Sequence, residues 1–300
     1  MKYPKGFFGV VAVLSLTVIM AAVILILERR TEHPRRPSEQ KGAEQVSPGE
    51  KDSRGAADGD KSTKRRSSFP ARKRMAVIID DIGYNLAPVR ELLEINAPLT
   101  FAILPQCSHS TDAAELVYRA GREILLHLPM EPHNYPDENP GPGTLFLRMS
   151  EDDIRKQVER DIESVPHCSG VNNHMGSRFM EDGEKLAMVM KILKEKGLFF
   201  IDSRTTRYSR GKELAAEMGV RFASREAFID NDHDQNITMR NLISAGKKGT
   251  REKNGTLLMI GHPYPETVKA LKKAIPTLRA RGFIIVPASK LAGTITPEGH

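Results

Sequence analysis

Cysteine is nearly missing from this chain: Cys107 and Cys168 are the only two in 300 residues. So small a supply excludes a disulfide-built scaffold, and the spacing matches no thiol-ligated metal or redox pattern. One disulfide or two packed thiols both remain open. No glycine-rich phosphate loop and no Gly-x-Ser-x-Gly elbow occurs, which removes those nucleotide-binding and serine-hydrolase signatures. No internal repeat is visible. Positive charge is scarce where a nucleic-acid binder needs it. The net charge of +7 belongs to the leader, because residues 1–74 carry 16 basic and 8 acidic side chains while residues 75–300 carry 29 and 30. The body therefore offers no electrostatic footprint for nucleic acid.

Long apolar runs are also absent, with one exception. Between Lys5 and Glu28 lie 22 uncharged residues, GFFGVVAVLSLTVIMAAVILIL. At about 1.5 Å per helical residue this is roughly 33 Å, enough to cross a bilayer core. A cleaved signal peptide fits less well, since the run is long and no small-x-small cleavage site is evident. A core helix fits least, because the segment is apolar all round and a polar tether follows. Residues 1–28 are thus expected to form a single-pass transmembrane anchor. Residues 29–74, rich in Pro, Gly, Ser and charge, cannot bury enough surface to offset ordering entropy and are expected to be a disordered basic linker. Lys2 and Lys5 precede the helix and Arg29, Arg30, Arg35 and Arg36 follow it, so the positive-inside count alone would place the body in the cytoplasm.

The body, residues 75–295, alternates short apolar runs with amphipathic segments. The predicted strands are AVIID, LTFAILP, EILLHLP, GVNNHMG, LFFIDS, VRFAS, TLLMIGH and FIIVPAS. Between most of them sit helical patterns such as TDAAELVYRAG, SEDDIRKQVERDIESV and GEKLAMVMKILKEKG. Thr111 and Ser150 are expected caps, and Gly121, Gly197 and Gly282 are expected stops. Strands separated by single helices imply parallel pairing. The fold class is therefore α/β, a distorted (β/α) barrel of seven or eight strands, with a doubly wound open sheet as runner-up. The Pro- and Gly-rich stretch Glu131–Leu147 is too long for a plain turn and is expected to lie over the site.

Polar residues recur at the ends of the buried runs: Asp80 and Asp81, His127, His174, Asp202 and His262. In a parallel barrel those ends share one face, where such folds build active sites. Two imidazoles and a carboxylate from separate strand ends suit zinc or a similar divalent cation with an open position for water. Two adjacent carboxylates also call for a nearby cation, which relieves their repulsion. Each residue has a plainer reading too: a turn or cap for the Asp pair, a hydrogen-bonded core residue for His127, a turn residue for His262, an ion pair for Asp202 and Arg204. Their shared topological position argues against those. The acidic run Asp230–Asp234 has the alternation of a calcium loop. Gln235 and Asn241 stand where that loop needs Gly and Glu, so it reads as a solvated loop and helix start.

In order, VIIDDIGYN, FAILPQCSHS, EILLHLPMEP, GVNNHMGSRF, FFIDSRTT and MIGHPYPET closely resemble the divergent polysaccharide deacetylase family, relatives of metal-dependent carbohydrate deacetylases. The resemblance implies that Asp80 is the catalytic base, Asp81 a metal ligand and His262 the general acid. Those relatives place two histidine ligands four residues apart, but Arg178 stands four beyond His174. The metal set is therefore expected to be Asp81, His127 and His174. Arg204 is expected to orient Asp80 or steady an oxyanion, and Asn173, Arg178, Asp202 and His133 to contact substrate. The function implied is a metal-dependent hydrolase removing acyl groups from N-acetylated envelope polysaccharide. A glycan substrate would set the membrane-anchored body outside the cytoplasm, in the periplasm, against the arginine count. The alternative is a non-catalytic envelope protein that binds glycan or a partner through a retained polar pocket.

Overall fold

The structure, a computed structural model, describes residues 73–249 and 256–295. The expected anchor and linker lie outside the described residues. Among the described residues no helix is long and apolar enough to cross a membrane. All eight predicted strands form, together with one short strand that the pattern does not announce. In chain order the elements are β1 (Lys73–Ile82), α1 (Leu86–Leu93), β2 (Thr100–Ile103), α2 (Ser110–Arg119), β3 (Glu123–Met130), α3 (Glu151–Ser164) and β4 (Gly170–Met175). Then follow α4 (Gly183–Glu195), β5 (Phe199–Asp202), α5 (Gly211–Met218), β6 (Phe222–Ser224), β7 (Ala227–Phe228), α6 (Gln235–Gly249), β8 (Thr256–Gly261), α7 (Pro265–Ala280) and β9 (Phe283–Ile285).

The nine strands make one sheet in the order β6-β5-β4-β3-β2-β1-β8-β7, with β9 added beside β1. Every pairing is parallel. The two outermost strands, β6 and β7, are separated by only Arg225 and Glu226. They act as halves of one stave: the first half pairs with β5 and the second with β8. A sheet whose opposite edges are joined by two residues must curl round on itself, so the architecture is the distorted (β/α) barrel rather than an open sheet.

Period-two alternation divides the strands between two cores. Ala76, Ile78, Ala102, Leu125, Phe199, Ile201, Leu258 and Ile260 fill the barrel interior. Val77, Ile79, Phe101, Ile103, Leu126, Phe200 and Met259 face the helices. Each large apolar side chain so enclosed contributes about 1.5–3 kcal/mol relative to exposure. Gly170 is required by the inner core, since a Cβ there would lie 2.6 Å from the Phe199 ring. The turn after β9 plugs the barrel's lower end: the Ala288 N–H donates to Thr100 Oγ1 at 3.0 Å, and Leu291 and Ala292 pack on the inner cluster.

Local signals explain several helix ends. Ser150 caps α3 with a reciprocal box to Asp153. Asn85 and Asp182 cap α1 and α4 through their side-chain oxygens. Gly121, Gly197 and Gly282 take left-handed φ values of 65°, 69° and 86°, as helix stops do. Thr111 is not a cap. It lies inside α2, which starts at Ser110, and its hydroxyl donates to the Ser164 carbonyl. Cys107 and Cys168 are free thiols, so the disulfide alternative is set aside.

The segment Glu131–Leu147 is tied beside β3 by a parallel bridge from Met130 to Leu145 and a 2.9 Å hydrogen bond from Glu131 N–H to the Leu145 carbonyl. Farther along, a Cβ on Gly143 would press on Pro105, just past β2, and on Asp161 of α3. The His133 N–H donates to Ser177 Oγ, just past β4. The loop therefore runs across the carboxyl ends of the strands, the face where the polar residues collect.

Candidate metal-dependent active site

Two consecutive residues of a regular strand point to opposite faces, yet both aspartates of β1 reach the site. Asp80 does so by parity, following Ala76 and Ile78 into the interior, and it is buried. Asp81 does so through its backbone. Its φ is +56°, a left-handed value uncommon for a non-glycine residue, and the pairing with β2 shifts register between Ile79 and Ile82. The bulge turns the Asp81 side chain back beside Asp80. Gly83 completes the bend at φ +143°, where a Cβ would meet Cys107 Cβ and the Leu104 carbonyl oxygen at 3.2 Å. Met175 and Arg204 share the left-handed conformation at the ends of β4 and β5. Strain of this kind collects at functional sites.

His127 follows Leu125 inward on β3, and on β4 Asn172 and His174 share the inward parity of Gly170. Asp81 Oδ1 lies 3.2 Å from His127 Nε2 and 3.1 Å from His174 Nδ1, and the two ring nitrogens are 3.1 Å apart. Three donor atoms thus form a nearly equilateral triangle. Asp81 Oδ1 is buried and accepts no well-directed hydrogen bond. A divalent ion about 2.0–2.2 Å from each of three donors sets them about 3.0–3.5 Å apart. These residues therefore fit such an ion, and the orphaned oxygen is what one would satisfy. Asp81, His127 and His174 are the one group of this kind among the described residues.

Asp80 flanks the triangle, with Oδ2 3.6 Å from His127 Nε2. Its other oxygen accepts from Asn172 Nδ2 at 2.9 Å, while Asn172 Oδ1 lies 3.0 Å from His127 Nδ1. One amide so links Asp80 and His127, and the pairing has His127 Nδ1 donating, which leaves Nε2 free to ligate. Burial pushes the Asp80 carboxyl above its usual range, against the pull of His127. Burial also acts on Asp81, but its contacts with His127 and His174 outweigh it and hold that carboxyl well below the usual range. Neighbouring carboxylates whose environments separate them in this way can divide the roles of base and ligand.

On the other side, His262 Nε2 lies 3.9 Å from Asp81 Oδ2. Its Nδ1 is 3.0 Å from Asp230 Oδ1, and its backbone N–H donates to Asp230 Oδ2 at 2.6 Å. Thr267 Oγ1 donates to the same oxygen at 2.7 Å. Burial lowers the His262 pKa, but Asp230 overcomes this and raises it. Asp230 is fully enclosed, which corrects the reading of the Asp230–Asp234 run as wholly solvated. Only its later part behaves so, where Asp234 Oδ1 accepts from the Asn236 and Ile237 N–H groups at the start of α6. A usable signal was present in the repeat of Phe-Ile-Asp at 200–202 and 228–230, an apolar run ending in an acid.

Other predicted contacts are placed elsewhere. Asn173 has the parity opposite to Asn172. It is buried, donating to the Met175 carbonyl and Thr205 Oγ1 and accepting from the Ser203 N–H, so it braces the β4–β5 ends rather than facing substrate. Asp202 likewise turns from the interior, accepting from Ser209 Oγ and the Arg204 N–H. Arg178 pairs with Glu131 at 2.8 Å and His133 with Glu181 at 3.1 Å, both bracing the long loop. Arg204 makes no contact with Asp80. The arginine whose charge reaches Asp80 is Arg225, in the link between β6 and β7.

Comparison with known proteins agrees with this fold. The chain belongs to the divergent polysaccharide deacetylase family, whose pattern matches residues 77–292. It is 31% identical over 222 residues to the uncharacterized protein YibQ of Escherichia coli (strain K12), covering 73% of this chain and 67% of that one. An uncharacterized protein of Haemophilus influenzae is 32% identical over 218 residues, covering 72% and 76%. Among solved structures, the uncharacterized protein ATU2773 from Agrobacterium tumefaciens C58 shares the fold with a TM-score of 0.70 at 24% identity, covering 75% of this chain and 91% of that one.

Proposed function

We propose that this protein is a metal-dependent hydrolase that removes acyl groups from an N-acetylated polysaccharide of the cell envelope. The observation that carries the reading is the triangle of Asp81 Oδ1, His127 Nε2 and His174 Nδ1, with Asp80 on one side and His262 on the other. Asp81, His127 and His174 would hold the ion, for which zinc is the fitting choice given two imidazoles and one carboxylate. When bound, such an ion polarises an acyl carbonyl and makes water acidic enough to ionise near neutral pH. Asp80, fixed by Asn172 and with its proton affinity raised by burial, takes the proton from the attacking water. His262, charged and oriented by Asp230, returns a proton to the departing nitrogen. The chain's apolar segment, residues 6–27, would tether the body to the membrane, with the body on the glycan side.

The test is metal content and acetate release from acetylated chito-oligosaccharide on the same preparations. Asp81→Ala should lose both. Asp80→Asn should keep the metal and lose acetate release, since Asp80 is not in the triangle. Release that survives Asp81→Ala, or a metal content indifferent to it, would overturn the reading.

A further inference from the structure

On the seam side of the barrel lies a cavity of about 260 Å³ lined by Arg204, Thr206, Arg207, Arg225 and Glu226. Three guanidiniums face one carboxylate, and that carboxylate is engaged, with Glu226 Oε2 accepting from the Leu258 N–H at 2.6 Å. Arg225 is held rigidly. Its Nε donates to the Ser203 carbonyl at 2.6 Å, its Nη2 to the Arg204 carbonyl at 3.0 Å, and its guanidinium lies 3.8 Å from the centre of the Phe228 ring. The Arg204 backbone is fixed by its left-handed φ of 51° and its N–H bond to Asp202, while its guanidinium has no hydrogen-bond acceptor among the described residues. Arg207 lies over the neighbouring Tyr208, a ring 60% exposed, and its Nη2 donates to that residue's hydroxyl. Asp202 acts on both Arg204 and Arg225, yet three guanidiniums around the single lining carboxylate leave positive charge in excess, which suits an anion, and the planar guanidinium fork matches a carboxylate.

A buried chain of hydrogen bonds links the cavity's lining to the site. Ser203, whose carbonyl holds Arg225, accepts from Asn172 Nδ2 through its hydroxyl oxygen, and the same amide nitrogen donates to Asp80. A saccharide with its amide at the triangle could therefore set a neighbouring acidic group among the arginines, with Tyr208 offering a ring face to a sugar. We propose that this pocket binds a carboxylate carried by the glycan substrate, so that the protein selects acidic over neutral N-acetylated saccharides. This rests on the glycan-hydrolase reading above and adds the class of its substrate.

The test is equilibrium titration of the zinc-loaded full chain with three probes: neutral N-acetylchitotetraose, a tetrasaccharide alternating glucuronate with N-acetylglucosamine, and inorganic phosphate. One charge-assisted contact corresponds to roughly 10- to 100-fold in affinity, so the acidic tetrasaccharide should bind at least about tenfold tighter than the neutral one. That preference should weaken as salt rises. The Arg204→Ala/Arg207→Ala pair should abolish it while leaving zinc content and neutral-sugar affinity in place, and the corresponding Lys pair should restore part of it. Equal affinities, or a preference that survives the Ala pair, would overturn the proposal. Phosphate binding as tightly as the acidic sugar would overturn it as well, by marking a free-anion site. Acetate release from the neutral probe, followed in parallel, separates the two claims. An arginine-dependent preference without acetate release would support the pocket and overturn hydrolysis alone.

Discussion

Replacing Asp161 by Asn should remove a large share of the protein's pH-dependent stability. Asp161 projects from α3 beneath the long loop and is fully buried. Its Oδ1 accepts from Gln106 Nε2 at 2.6 Å and Gln157 Nε2 at 2.9 Å, while Oδ2 has no partner. A carboxylate cannot leave an oxygen bare in such a place cheaply, and a carboxylic acid can. Burial accordingly raises the pKa from 3.8 to about 7, against the opposing pull of the two glutamines. The sign follows from proton counting. Between pH 4 and 7 the folded protein keeps a proton that the unfolded chain has released, so stability falls as pH rises through this window and levels off above it. About three pKa units at about 1.36 kcal/mol each make the loss about 4 kcal/mol. Urea denaturation of the wild type and Asp161→Asn at pH 4.5, 5.5, 6.5 and 7.5 measures this. The wild type should lose stability across the series relative to the variant, which has nothing to titrate at this position. Parallel curves would refute the assignment of a buried, protonated Asp161.

Asp230→Asn should lower kcat for acetate release by about 10²–10⁴, the scale on which imidazole-orienting carboxylates act. It should also move the alkaline limb of the pH profile down by about one to two units, since a charged hydrogen bond of about 1.5–3 kcal/mol no longer favours the imidazolium. An unmoved limb would deny His262 the role of acid. Gly170→Ala should destabilise the fold by about 1–3 kcal/mol, because its Cβ would strike the Phe199 ring. The paired change Gly170→Ala/Phe199→Leu should recover part of this in thermal melts, and additive losses would argue against the contact.

Strands with continuous apolar runs were legible because a strand buried on both faces leaves no room for a competing pattern. β7 was not, being two residues whose pairing depends on the barrel closing. Parity explains two of the relocated site residues, Asn173 and Asp202. Asn172 and Asn173 look equivalent in sequence, and only the inward phase of β4 makes one a partner of Asp80 and the other a brace. The same phase that excludes Asp202 admits His127 and His174. Asp81 defies parity, and its turn depends on a left-handed residue and a bulge that no local pattern announces. Asp230 reads as part of a solvated acidic run although Phe-Ile-Asp repeats the end of β5, and Arg225 lies in a two-residue link between strands too short to read.

The central claim is that one carboxylate and two imidazoles from three strands share a single ion. X-ray absorption at the zinc edge of the metal-loaded protein tests this most directly. The account predicts a first shell of about 2.0–2.2 Å containing two imidazole nitrogens and a carboxylate oxygen, with one imidazole lost in His127→Ala and one in His174→Ala. A shell without imidazole scattering, or one unchanged by both substitutions, would contradict it.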